Sequence, residues 1–456
     1  MNKKEQQEEK YRRITQAKIY PLLWRMAIPS MIGMMVSSIY SMTDTFFVGM
    51  LGRTELTASV GIVFSFISMI QAIGFWFGYG SGNYASRQIG KKNIGEAEKM
   101  ASIGFTLAIA VGAVIFILGT IFLRPLAVLL GAGISKELMK ATISYLRITL
   151  ISVPFLLAAN VLYNVLRLQG SARDSMIGML AGMLLNIILD PVFILGLHMG
   201  VAGAALASLI GQICGFLLLL QRTGRGGNVS VNFGRYKPDL VHVKEIIAGG
   251  APNFCRQGIT SISGVLLNQA AGNFGESGVA GVTVALRVIA MGYALVIGFG
   301  QGFQPICLVN YGAGKYGRIK ETFRDALITA TVFLIIAAMI ISFRAEGLVS
   351  SFTEDEAAGR IAADILKAQC VVLPFMGYYI LIGMFLQNVG QFTRATLVTV
   401  AENGIFLIPA VFIMPALFGY KGFVWCKPAA SIGALAFSLF IGTRIWKTHM
   451  KSDGGN

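Results

Sequence analysis

Apolar stretches too long for the core of a soluble domain recur from one end of this chain to the other. A helix needs about 20 apolar residues to cross the hydrocarbon layer of a bilayer. About twelve runs reach that length, at 20–50, 55–82, 97–123, 138–164, 174–197, 200–221, 243–271, 278–308, 322–343, 358–387, 394–417 and 422–446. In lipid, a helix satisfies its backbone hydrogen bonds within itself. The expected fold is therefore an all-α polytopic membrane protein with twelve transmembrane helices in two pseudo-symmetric six-helix lobes. The runs exceed the minimum length, which predicts tilt or extension past the membrane. Only 13% of the 456 residues are charged and 55% are hydrophobic, and the mean hydropathy is +0.68, values foreign to a soluble domain.

A net charge of +16 raises the question of nucleic acid. The placement of the basic residues excludes that partner, because they collect in short loops between apolar runs. Lys3, Lys4, Lys10, Arg12, Arg13 and Lys18 precede the first run; Arg87, Lys91, Lys92 and Lys99 follow the second; Arg222, Arg225, Arg235, Lys237 and Lys244 follow the sixth. The fifth loop, Gly196 to Gly200, and the seventh, Asn273 to Ser277, contain no Lys or Arg. Both termini are expected in the cytoplasm. The N-terminal stretch lacks the apolar core of a cleavable signal, so the first run is read as a retained span. The expected division is a cytoplasmic segment 1–19, an N-lobe 20–221, a cytoplasmic linker 222–242, a C-lobe 243–446 and a cytoplasmic tail 447–456.

The halves repeat. Gly74, Gly78, Gly90 and Lys91 recur as Gly298, Gly302, Gly314 and Lys315 at one constant offset, and Pro29, Pro154 and Pro191 find counterparts in Pro252, Pro374 and Pro409. A parallel repeat of six spans is a transporter architecture.

Within the fifth run stands Asn186-Ile-Ile-Leu-Asp190-Pro191. A carboxylate in hydrocarbon needs a partner, a proton or a bound cation. Asn186 lies one turn before it on the same helix face, and Pro191 withholds a backbone donor. Counting from the outer loops at 1.5 Å per residue puts Asp44, Asp190 and Ser208 at one depth, about 12 Å in, with Asn186 a turn deeper and Tyr145 compatible. These five residues form the expected ion-coupling site, taking H+ or, as a possible metal site, Na+ at Asp44, Asn186 and Asp190. Ile408 replaces Asp190 in the second half, and Leu267 or Asn268 replaces Asp44, so the coupling chemistry is expected in one lobe. In the C-lobe the same count places Arg256 and Glu402 near mid-membrane as a buried pair, with Lys427 too shallow to be the main partner of Glu402.

Other motifs carry no chemistry. Gly298-Phe-Gly-Gln-Gly302 lacks the strand of a phosphate loop, and Gly312-Ala-Gly-Lys315 lacks Walker spacing. Gly178-xxx-Gly182 and Gly211-xxx-Gly215 read as helix-packing motifs. The five cysteines and three histidines show no metal-binding spacing. Met26, Met31, Met34, Met35 and Met42 read as core filler, with Met34 and Met183 also candidates for an adaptable cavity.

Four stretches carry a resemblance: Ser41-Met-Thr-Asp44-Thr-Phe-Phe-Val-Gly49, Asn186 to Pro191, Phe254-Cys-Arg256-Gln257, and Gly300-Gln-Gly-Phe-Gln-Pro305 running on to Asn310-Tyr311-Gly312-Ala313. Over about residues 20–445 the chain resembles the multidrug and toxic compound extrusion (MATE) family, in its bacterial MepA/DinF-like branch. The resemblance implies a central cavity between two lobes and cation-driven export of amphipathic, often cationic compounds across a bacterial cytoplasmic membrane. It also implies a functional monomer with no cofactor beyond the coupling ion, and roles for Asp44, Asn186, Asp190, Ser208 and Tyr145 in coupling. Arg256, Gln257, Glu402, Met34 and Met183 are the expected substrate-cavity residues. Glu402, Lys427 and Ser431 depart from the family pattern, which carries Arg, an uncharged residue and Asp there. The alternative function is a lipid-linked oligosaccharide flippase, which Arg147, Arg256 and Arg287 would suit and the intramembrane acids would not.

Overall fold

The computed structural model describes residues 2–353 and 355–449, without the side chains of residues 38–45 and 445–449. From residue 450 onward the expected tail lies outside the described residues. Every regular element among the described residues is helical. Ten segments are long and apolar enough to cross a membrane. Two of the expected twelve spans are hidden in that count. Phe392–Arg444 holds two helices, because Gly419, at φ 57 and ψ −135, breaks helical geometry inside it. Leu240–Gly272 has the length, at 33 residues, but Asn253, Arg256 and Gln257 dilute its hydropathy.

The ninth span, Tyr316–Ser350, shows why these helices belong in lipid. Its buried stripe is Ala330, Leu334, Ala338 and Ala345, while Val332, Ile336, Ile340 and Phe343 point outward, Phe343 with 87% of its surface exposed. Both stripes follow helical spacing. The larger apolar side chains face away from the protein, which water would penalise and hydrocarbon does not.

The chain forms two compact units. One comprises residues up to Ala17 together with Ile28–Gly250; the other comprises Lys18–Ala27 together with the chain from Ala251 onward. The first span, Ile19–Gly49, and the seventh, Leu240–Gly272, are each shared between the units, and each changes membership next to a proline, Pro29 or Pro252.

In the first unit the fifth span, Ala172–Pro191, packs on the sixth, Val201–Arg222, along the two small-residue motifs. A Cβ on Gly182 would lie 2.5 Å from the carbonyl oxygen of Gly211, and one on Gly211 would lie 2.6 Å from that of Gly182. Only glycine lets the backbones approach this closely. The fifth span stays α-helical through Pro191, and the chain then widens into a π-turn, Val192–Gly196, closed by Leu197 N–H on the Val192 carbonyl at 2.8 Å. The irregularity thus follows the proline rather than preceding it.

The segment after the sixth span is an extended strap. Backbone N–H groups of Ser230, Asn232 and Gly234 donate to Glu98, Ser102 and Thr106 of the third span, Ile94–Ile121, at 3.1, 3.1 and 3.2 Å. Four helical residues rise about 6 Å and two extended residues advance about 6.6 Å, so alternate strap amides meet successive turns. The strap ends where Asp239 accepts from His242 N–H at 2.9 Å and caps the seventh span. His242 and the nearby Lys99 ammonium hold the Asp239 carboxyl well below the usual range. In the second unit Gly302 performs the close approach, where a Cβ would sit 2.5 Å from Ala27 Cα.

Gly182→Val drives a branched side chain into the facing backbone. Overpacking of this kind costs about 1–3 kcal/mol, so the melting temperature of the purified protein in detergent should fall. Gly61→Ala, where a Cβ meets nothing within 4 Å, should leave the melting temperature unchanged or raise it.

Candidate functional site

One helical turn places Asn186 above Asp190, and the glycine seam brings Ser208 of the sixth span alongside. Asn186 Nδ2 donates to Asp190 Oδ1 at 3.4 Å and to Ser208 Oγ at 3.1 Å. Asp190 has no exposed surface, Asn186 is 1% exposed and Ser208 is 8% exposed. A Cβ on Gly211 would also lie 3.1 Å from Asn186 Cβ, so the seam that joins the helices also fixes the amide. With both amide hydrogens turned to Asp190 and Ser208, the Asn186 Oδ1 atom makes no hydrogen bond among the described residues.

Such a set is rich in acceptors. A carboxylate, a buried amide oxygen and a hydroxyl are hard oxygen donors, suited to a proton or a small monovalent cation. No group of three or more His, Cys, Asp or Glu side chains that would hold a metal ion occurs among the described residues. Any cation here would therefore rest on mixed carboxylate, amide and hydroxyl ligands. Tyr145 is 1% exposed and sits in the apolar core of this unit, on the fourth span, Lys136–Leu168. Asp44 lies on the first span, but its side chain is outside the described residues, and so is the expected pairing of its carboxylate with Asp190.

A cavity of about 130 Å³ opens beside this cluster, lined by Met183, Asn186 and Ser208 together with Gln71, Asn160 and Gln212. The last three were missed by the sequence reading. Gln212 is four residues after Ser208 and shares its helix face, and its Oε1 atom makes no hydrogen bond. Asn160 and Asn164 stand one turn apart in an apolar run, the same kind of signal that singled out Asn186 and Asp190. Met34 is half-buried on the first span.

The second unit corrects the expected ion pair. Among the described residues no ion pair joins Arg256 to Glu402. Lys427 meets Glu402 instead, with Nζ 3.8 Å from Oε1, and also donates to Asn403 Oδ1 at 3.3 Å. Ser431 Oγ donates to the same Glu402 oxygen at 2.9 Å, and Gln369 Nε2 donates to Ser431 Oγ at 3.4 Å. Glu402 is 4% exposed and lies in a π-turn, Ala401–Phe406. The depth count did bring Arg256 and Glu402 into one region, where both act on Tyr293; it excluded Lys427 because it ignored the reach of a lysine stem along a helix. Arg256 and Gln257 are half-buried on the seventh span, and Arg256 lies beside Tyr293.

Residues 29–192 and 252–413 match the MatE family profile. The chain is 29% identical over 425 residues to the multidrug export protein MepA of Staphylococcus aureus strain MRSA252, covering 93% of each chain. To the MepA of Staphylococcus haemolyticus it is 28% identical over 427 residues, covering 93% of this chain and 94% of that one. Among solved structures, a MATE protein in its bent conformation superposes with a TM-score of 0.90 at 23% identity, covering 98% of this chain and 99% of the other.

Removing one partner of a buried ion pair costs about 3–5 kcal/mol, because the other charge is left uncompensated. Lys427→Met should therefore lower the melting temperature sharply. Adding Glu402→Gln to that variant should recover much of the loss. Additive losses in the double variant would show that the two side chains are not coupled.

Proposed function

The chain belongs to the MatE family, and from that premise we propose that it is a secondary multidrug exporter that trades H+ or Na+ for amphipathic, often cationic, organic compounds. It is a multi-pass membrane protein; on this reading it sits in a bacterial cytoplasmic membrane with both termini in the cytoplasm. The observation that carries the coupling reading is the fully buried Asp190 carboxylate, bonded to Asn186, whose own amide oxygen has no donor among the described residues.

In one lobe orientation the protein takes substrate from the cytoplasm or inner leaflet. In the other, Asp190 and Asp44 accept the coupling ion, the helix adjusts near Pro191, and substrate leaves. Two carboxylates at one depth favour binding a proton or cation, because ionisation of both is opposed by their repulsion. The driving force is the ion gradient together with the membrane potential, worth about 2.3 kcal/mol per charge per 100 mV. Chemistry on the substrate plays no part in this cycle: the compound leaves with its bonds intact. The name of the Staphylococcus relatives, multidrug export protein, supports a multidrug cargo, while Glu402, held by Lys427 and Ser431, contributes no free charge to select it.

Everted vesicles given a fluorescent dye substrate in the outside medium test this directly when a proton gradient and a sodium gradient are imposed separately. One gradient should drive dye accumulation in the wild type. Asp190→Asn and Asp44→Asn should abolish that accumulation while inserting at normal levels. Wild-type transport rates in both variants would refute the site.

A further inference from the structure

The N-terminal helix, Lys3–Gln16, opens with a capping box in which Asn2 and Glu5 satisfy each other's backbone. It lies against the strap. Lys3 Nζ reaches Glu98 at 2.8 Å and Ser230 at 2.7 Å, and Lys10 Nζ reaches Ser171 at 2.7 Å and Asn228 at 2.6 Å. A Cβ on Gly227, which has φ +78, would lie 2.7 Å from the Gln6 carbonyl oxygen. Helix, strap and the turn after the second span, Thr54–Gly90, enclose a cavity of about 230 Å³. It holds roughly seven waters' worth of space, yet falls short of the roughly 300–1,000 Å³ typical of a drug-sized ligand. It is therefore too small for the exported cargo.

Its walls are divided. Ile14, Ile89 and Ile94 supply an apolar side, and Lys4, Lys10 and Lys92 line the other, with the Lys10 ammonium also held by Ser171 and Asn228 and the Lys92 ammonium by Glu8. Glu8 is the carboxylate in the lining, and it is bound to Lys92 at 3.2 Å and Arg12 at 3.5 Å. Lys10 is 7% exposed and has no ion pair among the described residues. Burial, with Arg13 adding to it and Asp174 partly opposing, lowers its pKa to about 7. An anion beside it would favour the ammonium form. Gln169, 1% exposed, also lines this space: its Oε1 atom accepts from Val229 N–H at 3.0 Å, while its Nε2 atom makes no hydrogen bond among the described residues. A buried amide donor left unsatisfied is destabilising, so a ligand acceptor there removes a penalty already present.

We propose that this cavity binds a phosphate group, carried by a small metabolite or by a phospholipid headgroup, with Lys4, Lys10, Lys92 and Gln169 Nε2 as its donors. Several ammonium groups around an amide donor match the charge and acceptor count of a phosphate. The isoleucine wall suits the carbon-bound side of the body to which such a phosphate is joined. A bound phosphate would tie the N-terminal helix to the strap at Gly227 and Val229 and to the second-span turn at Lys92, and so stiffen the segment that leads into the seventh span.

The test uses the full-length protein in phosphatidylcholine nanodiscs, titrated calorimetrically with glycerol 3-phosphate and inorganic phosphate against chloride at equal ionic strength. A parallel set of discs containing phosphatidylglycerol is compared by melting temperature. Saturable binding of glycerol 3-phosphate or inorganic phosphate, weakened at least tenfold by Gln169→Glu, assigns the site to a soluble phosphate. A melting-temperature rise seen only with phosphatidylglycerol and removed by Gln169→Glu assigns it to a lipid headgroup. Because Gln169 is buried, the exposed pair Lys4→Gln with Lys92→Gln provides the same test without disturbing the core. Absence of both effects, or effects of equal size in all variants, overturns the proposal.

Discussion

A carboxylate stripped of water is the constraint on which the rest depends. Moving an ion of that size into a protein interior costs several kcal/mol even after relaxation, and Asp190 has no exposed surface at all. Asn186 and Ser208 are neutral, and their dipoles soften the cost without cancelling the charge; on the proposed mechanism a proton or a cation completes the balance. Placement follows from packing. The 3.1 Å contact between Asn186 and Ser208 exists because Gly182 and Gly211 bring the two helix backbones together, so the seam and the chemistry form a single design.

The second unit answers the same problem differently. Glu402 is buried almost as deeply, yet Lys427 and Ser431 share its Oε1 atom. A buried acid neutralised within its own unit asks for no external ion. On the proposed mechanism this is why two repeats of one architecture divide the labour. One holds Asp190 beside Asn186, which in turn holds Ser208; the other holds Glu402 against Lys427.

Much of this was legible in the sequence. Spans were readable because an apolar run of bilayer length has few other uses, and the Asn186–Asp190–Ser208 cluster was readable because helical spacing and a depth count place residues to within about a turn. The count broke down at Lys427, whose long stem makes Cα depth a poor guide. Gln212 and Asn160 escaped because a neutral amide in an apolar run draws less notice than a charge. The strap was read as a plain polar linker. Its docking was nevertheless encoded in Glu98, Ser102 and Thr106, a polar stripe at four-residue spacing along an otherwise apolar span. The fold of the N-terminal helix rests on contacts with residues far away in sequence, which spacing alone does not reveal.

Ion release on substrate binding reaches the central claim without the complication of a transport cycle. Purified protein in weakly buffered solution is mixed with a saturating dye substrate while a pH indicator and a sodium electrode follow the medium. The account predicts that the wild type releases H+ or Na+ in fixed proportion to substrate bound, and that Asp190→Asn binds substrate but releases neither. Equal release from the variant, or none from the wild type, would contradict it.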